Sequence, residues 1–197
     1  MSRDTRTLLV TAAAELLDKG GPAAVTLRDV GRMAGVSHNA PYKHFADKEE
    51  LLAAVASREL LRQAKTMKAA RAQKSPREVL RVLMHGYVRW ARTYPARFKL
   101  TFGAWKTDSA ELGTAADASR GALIAIVEAA QAKGELPKGD PERLTSLFLA
   151  LAHGAADLAL NGHLAAKGKG HADPEDLLDD LFARFAATKK RKARTGR

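Results

Sequence analysis

The sequence predicts an all-α fold: an N-terminal helix-turn-helix unit of three helices, a connecting helix, and a C-terminal helical bundle, about nine helices in all. Three observations carry this. Ala and Leu dominate while β-branched and aromatic residues are sparse, a balance that favours helix over strand. No convincing run alternates apolar and polar residues as a half-buried strand does. Helix-start signals recur along the chain, either a polar cap followed by proline or a cap followed three residues later by an acid. With 46% hydrophobic and 28% charged residues over 197, the composition is globular and supports a sizeable core.

Leu8, Leu9, Ala12, Ala13, Leu16 and Leu17 form the apolar face of a first helix, which Gly20, Gly21 and Pro22 end. Thr26-Leu27-Arg28-Asp29 reads as a capping box, with Asp29 reaching back to the Thr26 cap. The second helix buries Leu27, Val30 and Ala34, and Gly35 stops it. Ser37 then caps a short third helix through about His44, in whose opening turn Pro41 forfeits little. Asp47 with Glu50 caps a fourth helix that passes Leu51, Leu52 and Val55 and ends near Ala70. Ser75-Pro76, Asp140-Pro141 and Asp173-Pro174 mark later starts, and the helices fall near 76–93, 95–104, 113–133, 140–161 and 174–187. The boundaries are therefore a compact unit at 1–46, then 47–187 comprising the connecting helix and bundle, then a basic tail at 188–197 that reads as disordered.

Charge narrows the function classes. The formal net charge of +11 makes nucleic acid or an anionic surface a plausible partner. It is uneven: residues 1–60 are neutral, 61–110 carry +10, 111–187 carry −5, and the tail adds +6. Total charge therefore does not identify the DNA-reading segment. The run Arg58, Arg62, Lys65, Lys68, Arg71 reads as a solvated helix face that adds non-specific attraction. Cysteine is absent, which excludes disulfides, a thiolate nucleophile and Cys-ligated metal. His153 and Asp157 lie one turn apart without a clear third ligand, so no metal site and no cofactor is expected. No apolar stretch approaches the ~20 residues of a membrane span. Asp4 and Glu15 argue against a secretory signal, and the chain reads as cytoplasmic.

The most specific signal is residues 26–44. Gly35-Val36-Ser37 joins two short helices, and glycine there supplies the left-handed backbone of a sharp inter-helix turn. The second helix offers His38, Asn39, Tyr42, Lys43 and His44, side chains suited to base edges and phosphates. From Val25 to Leu52 the chain resembles the TetR family of transcriptional regulators. The match is carried by Val25-Thr26-Leu27-Arg28-Asp29-Val30, Ala34-Gly35-Val36-Ser37, Pro41-Tyr42-Lys43-His44-Phe45 and Lys48-Glu49-Glu50-Leu51-Leu52. A weaker cue, Trp90, Phe98 to Trp105, and Ala152-His153-Gly154, is similar to the subset of that family with a Trp and a His-Gly pair in its C-terminal domain.

The resemblance implies phosphate contacts from Thr26, Ser37, Tyr42, His44 and Lys48, and base contacts from Arg28, His38, Asn39 and Lys43. Helix N-termini favour an anion at Thr26 and Ser37, although both residues serve as caps without DNA. Phe45 and the Tyr42 ring also read as packing residues. The resemblance further implies that the larger domain dimerises and binds a small-molecule effector. Leu144, Leu147, Phe148, Leu151, Ala152, Ala155 and Ala159 stripe one helix, and Leu177, Leu178, Leu181, Phe182 and Phe185 another. Together they suit a homodimer seam through 140–161 and 174–187, or else intrachain core. A two-fold dimer predicts a near-palindromic double-stranded DNA operator. Met84, His85, Tyr87, Trp90, Phe98, Phe102 and His153 are the candidate effector lining, with ordinary core packing as the competing reading.

The leading expectation is an effector-released repressor, not an enzyme. A non-specific architectural DNA-binding protein is the alternative that the basic tail supports. An α-helical small-molecule-binding protein or enzyme is disfavoured by the absence of a phosphate loop or a convergent acid–base set.

Overall fold

The computed structural model describes residues 2–70, 75–105 and 108–195, with side chains described from residue 5 to 185. Its elements are α1 (Ser2–Gly20), α2 (Leu27–Met33), α3 (Lys48–Ala70), α4 (Pro76–Thr93), α5 (Pro95–Thr101), α6 (Ala110–Ala132), α7 (Pro141–Leu160) and α8 (Pro174–Thr195). Two 3-10 turns, Pro22–Ala24 and Pro41–Lys43, complete the set, and no strand occurs among the described residues. The all-α expectation holds. No described helix is long and apolar enough to cross a membrane.

The caps explain the boundaries. The Thr26 hydroxyl accepts from the Asp29 amide at 3.1 Å and donates to the Asp29 carboxylate at 2.7 Å. Asp29 thus closes the box on the cap's hydroxyl, not on its backbone amide as the motif predicts. Asp47 accepts from the Glu50 amide at 2.8 Å, and Glu50 reaches back to the Ala46 amide at 2.6 Å. Asp140 accepts from the amides of Glu142 and Arg143, with Pro141 following at the first helical position. Ser109 caps α6 by accepting from the Leu112 amide at 3.2 Å, which sets its start at Ala110, not residue 113.

The contacts divide the chain into two units. The first comprises 1–63 and 94–119, and the second 64–93 and 120–197. The expected break after residue 46 is not where the contacts divide. A 46-residue three-helix unit has little apolar area to bury by itself. Leu51, Leu52 and Val55 of α3 complete its core against Leu9, Val10, Ala13, Leu17, Val25, Val30 and Phe45, while Ala96, Leu100 and Trp105 pack on that cluster. Leu8, expected on the inner face of α1, is exposed.

In the second unit α4 packs against α7 and α8. Val79, Leu80, Met84, Val88 and Ala91 of α4 are buried, as are Phe148, Ala152, Ala155 and Ala156 of α7 and Leu178 and Phe182 of α8. Phe148 stacks on Phe182 with centroids 5.1 Å apart, and Phe185 meets it edge-on at 5.9 Å. Helix α7 resolves the single stripe read from sequence into two. Of that stripe Phe148, Ala152 and Ala155 face the core, whereas Leu147 is 48% exposed and Leu158, outside the stripe, is 46% exposed.

Helix α8 continues through Thr195, so the backbone expected to be disordered from 188 is helical. Its Lys, Arg and Ala residues are strong helix formers, and cations suit a helix C-terminus. The tail's side chains, Gly196, Arg197 and Arg71 lie outside the described residues.

Candidate nucleic-acid interface

The segment after α2 begins with Gly35 at φ +66°, the left-handed turn expected there. Beyond Gly35 the backbone departs from the expected helix. The Ala40 amide donates to the Ser37 carbonyl at 2.9 Å, the Lys43 amide to Ala40 at 3.2 Å and the His44 amide to Pro41 at 3.0 Å. These are three-residue spacings, those of turns and a 3-10 helix, while the Phe45 amide reaches back four residues to Pro41 at 2.9 Å. Pro41 causes this, because it lacks the amide that would bond the Ser37 carbonyl in an α-helix and its ring crowds that position. Ser37 is consequently not the cap of a helix here: the 3-10 turn has Ala40 at its N-cap and no side-chain cap bond.

Pro41 and Phe45 are buried and hold the segment from beneath. A Cβ built on Gly31 would come within 2.8 Å of Pro41 Cγ, so only glycine lets α2 approach this closely. Sequence reasoning missed Gly31, although a glycine inside a short helix is itself a signal of close approach. Above this base Arg28, Ser37, His38, Asn39, Tyr42 and Lys43 are exposed, with Tyr42 at 53%. The His38 and Tyr42 rings meet edge-on at 6.0 Å. His44 is half-buried beside Phe45, and Lys48 is half-buried at the first position of α3. Thr26 is exposed, its hydroxyl proton committed to Asp29. That bond, with Arg32 3.1 Å away, holds the Asp29 carboxyl below its ordinary range. Between Thr26 and Lys48 four cations, Arg28, Arg32, Lys43 and Lys48, stand against Asp29 and Asp47.

The candidate effector lining is divided between the units. Phe98 and Phe102, 5.9 Å apart, belong to the first, and Phe98 is buried there. Met84, His85, Tyr87, Trp90 and His153 belong to the second. The Tyr87 hydroxyl lies 2.9 Å from His153 Nδ1, and its ring is 6.0 Å from Trp90. Burial pushes the Tyr87 hydroxyl far above its ordinary pKa. His85 Nε2 sits 2.9 Å from Asp179, which Arg81 also contacts at 3.2 Å. Among the described residues no group of three or more acidic or histidine side chains gathers as a metal site.

The helix face expected to be solvated is in part a network. Glu59 is buried and pairs with Arg62 at 3.2 Å and with Arg97 of α5 at 3.1 Å, while Arg58 is only one-third exposed. Lys65 and Lys68 are exposed as expected.

Residues 9–55 match the family model of bacterial regulatory proteins of the tetR family, and residues 80–185 match that of the tetracyclin repressor-like C-terminal domain. A Rhodococcus sp. RHA1 protein of unknown function is 30% identical, with 92% of this chain and 93% of that one covered and a TM-score of 0.77. An Agrobacterium tumefaciens regulator of the TetR family is 18% identical over 94% and 99% of the two chains, with a TM-score of 0.68. The Bacillus subtilis regulator FadR, solved with stearoyl-CoA, is 15% identical over 90% and 95%, with a TM-score of 0.66. No curated protein matches the chain.

Proposed function

From a chain that belongs to the TetR family of bacterial transcriptional regulators, we propose a homodimeric repressor that reads a near-palindromic operator and leaves it on binding a small-molecule effector. One observation carries the reading. The side chains of His38, Asn39, Tyr42 and Lys43 stand exposed on a turn anchored by buried Pro41 and Phe45, with Ala40 and His44 half-buried. A fold that anchors a polar, aromatic and cationic row from below presents it to a groove. In this reading Arg28, His38, Asn39 and Lys43 contact bases, and Thr26, Ser37, Tyr42, His44 and Lys48 contact phosphates. Thr26 gives up its bond to Asp29 to do so.

Dimerisation supplies the palindrome. Leu147, Leu151, Gly154 and Leu158 recur at four- and three-residue steps along one side of α7, with both outer leucines about half exposed. Half-buried Leu177 and Leu181 continue the apolar character on α8. A second copy laid across this face removes that area from water, and Gly154 allows close approach. For the effector, the B. subtilis neighbour holds an acyl thioester. The comparable chemistry here is the Tyr87, Trp90 and His153 cluster with Met84 and His85, while Phe98 and Phe102 pair in the first unit.

The test is selection of bound fragments from sheared DNA of the source organism by wild type and by Tyr42→Ala/Lys43→Ala. A shared near-palindrome enriched only by wild type is expected. Equal, salt-sensitive recovery of all fragments by both proteins overturns the reading in favour of an architectural DNA-binding protein.

A further inference from the structure

Arg58, Glu59 and Arg62 of α3, with Tyr94 and Arg97 at the start of α5, line an open cleft of about 420 Å³ in the first unit. Its charges do not balance. The Glu59 carboxylate takes Arg62 Nε at 3.2 Å and Arg97 Nη1 at 3.1 Å. Arg97 also grips Asp18 with two nitrogens, one of them Nε at 2.9 Å, and its guanidinium stacks 4.5 Å from the Tyr94 ring centre. Three guanidinium groups thus share two carboxylates.

The surplus falls on Arg58. It donates to the neutral Thr11 hydroxyl at 3.0 Å but stands 3.9 Å from Glu59, beyond hydrogen-bonding distance. Burial lowers its pKa most; the charges of Arg97 and Arg62 act in the same direction, against Glu59 and Asp18, and the net shift is downward. A half-buried cation among other cations is costly unless an anion completes it. Tyr94, 37% exposed, gives the same cleft an aromatic wall.

We propose that this cleft binds a small organic carboxylate, its oxygens taking guanidinium N–H groups of Arg58 and Arg62 and its apolar body lying against the Tyr94 ring. The forked guanidinium matches a carboxylate in geometry, and one bound monoanion cancels the surplus charge. Glu59 is then an internal competitor for the same donors. The site uses none of the residues assigned above to base or phosphate contacts or to the second unit's aromatic cluster, and it reassigns Arg58 and Arg62 from a solvated face.

Direct binding tests it without an operator. The full chain is titrated calorimetrically with sodium benzoate at constant ionic strength, with benzamide and inorganic phosphate in parallel. Saturable uptake of one benzoate per chain and none of neutral benzamide is expected. Arg58→Gln weakens benzoate by about tenfold or more, as loss of one charge-assisted contact requires. Removing the competitor in Glu59→Gln tightens it severalfold, an effect that general damage to the fold does not produce. Asp18→Asn, which frees Arg97, serves the same purpose if Glu59→Gln does not fold. Equal responses to benzoate and benzamide, wild-type affinity in Arg58→Gln, or uptake of phosphate in place of benzoate overturns the proposal.

Discussion

Tyr42 and Phe45 lie one turn apart and do opposite work. The first ring is 53% exposed and the second 1%. Both read from sequence as partly packing residues, because aromatics three apart near a helix end fit either face and only the path of the chain through Pro41 separates them. Phe45→Ala should therefore cost ~3–5 kcal/mol in a denaturant melt. Tyr42→Ala should stay within ~0.5 kcal/mol of wild type while losing the selected DNA fragments. Gly31→Ala is expected to destabilise by ~1–3 kcal/mol, since the added methyl meets a rigid proline ring, not the free end of a long side chain. Asp29 offers a titration test. Its folded pKa is depressed, chiefly by the Thr26 hydroxyl. The stability it contributes is full above the unfolded carboxyl value of about 3.9 and is lost as pH falls through the lower folded value. Thr26→Val should bring the Asp29 midpoint, followed by carboxyl NMR, back up toward that ordinary value.

At the scale of elements, sequence signals located the helices well wherever a cap and a proline coincide. The span 76–93 read from Ser75-Pro76 is the observed Pro76–Thr93. Signals failed where one residue served two rules. Pro41 was tolerable as a first-turn residue, but its missing amide falls where the first α-helical bond should form, and a 3-10 turn results. The α7 stripe failed differently: leucine and alanine on neighbouring positions show that a helix is apolar, not how many faces it covers. Leu147 and Leu158 face outward, and Phe148 and Ala152 inward. Replacing both outer leucines by Glu should convert the proposed dimer to monomer in sedimentation velocity with little change in helix content. Phe148→Ala should instead lower stability by ~3–5 kcal/mol, because it empties the core.

For the whole molecule, charge was the least legible property. Counting gives +11 but not which cations remain available. Arg58 and Arg62 read as solvated because their spacing is that of a helix surface. The residues that enclose them, Arg97 and Tyr94, lie over thirty positions away, and no local pattern announces the encounter. The two-unit division was hidden for the same reason, since α5 joins the first unit through Ala96 and Leu100 despite following α4. A measurement on the full chain separates the two kinds of DNA contact proposed above. Lys48→Gln should weaken all sites alike and lessen the salt slope of log K by about 0.9 per subunit, as loss of one phosphate contact requires. Lys43→Gln should instead relax preference at one base position, at a cost of ~1–3 kcal/mol on the cognate site.

The anchoring of the Pro41 turn from beneath has a consequence for how such a regulator changes allegiance. Gly31, Pro41 and Phe45 hold the turn from within, and His38, Asn39, Tyr42 and Lys43, the residues proposed to read DNA, stand on its outside. No residue sits on both rosters. Substitutions that retarget the protein to another promoter therefore need not pass through unstable intermediates, and a gene duplicate can acquire a new regulon one exposed side chain at a time.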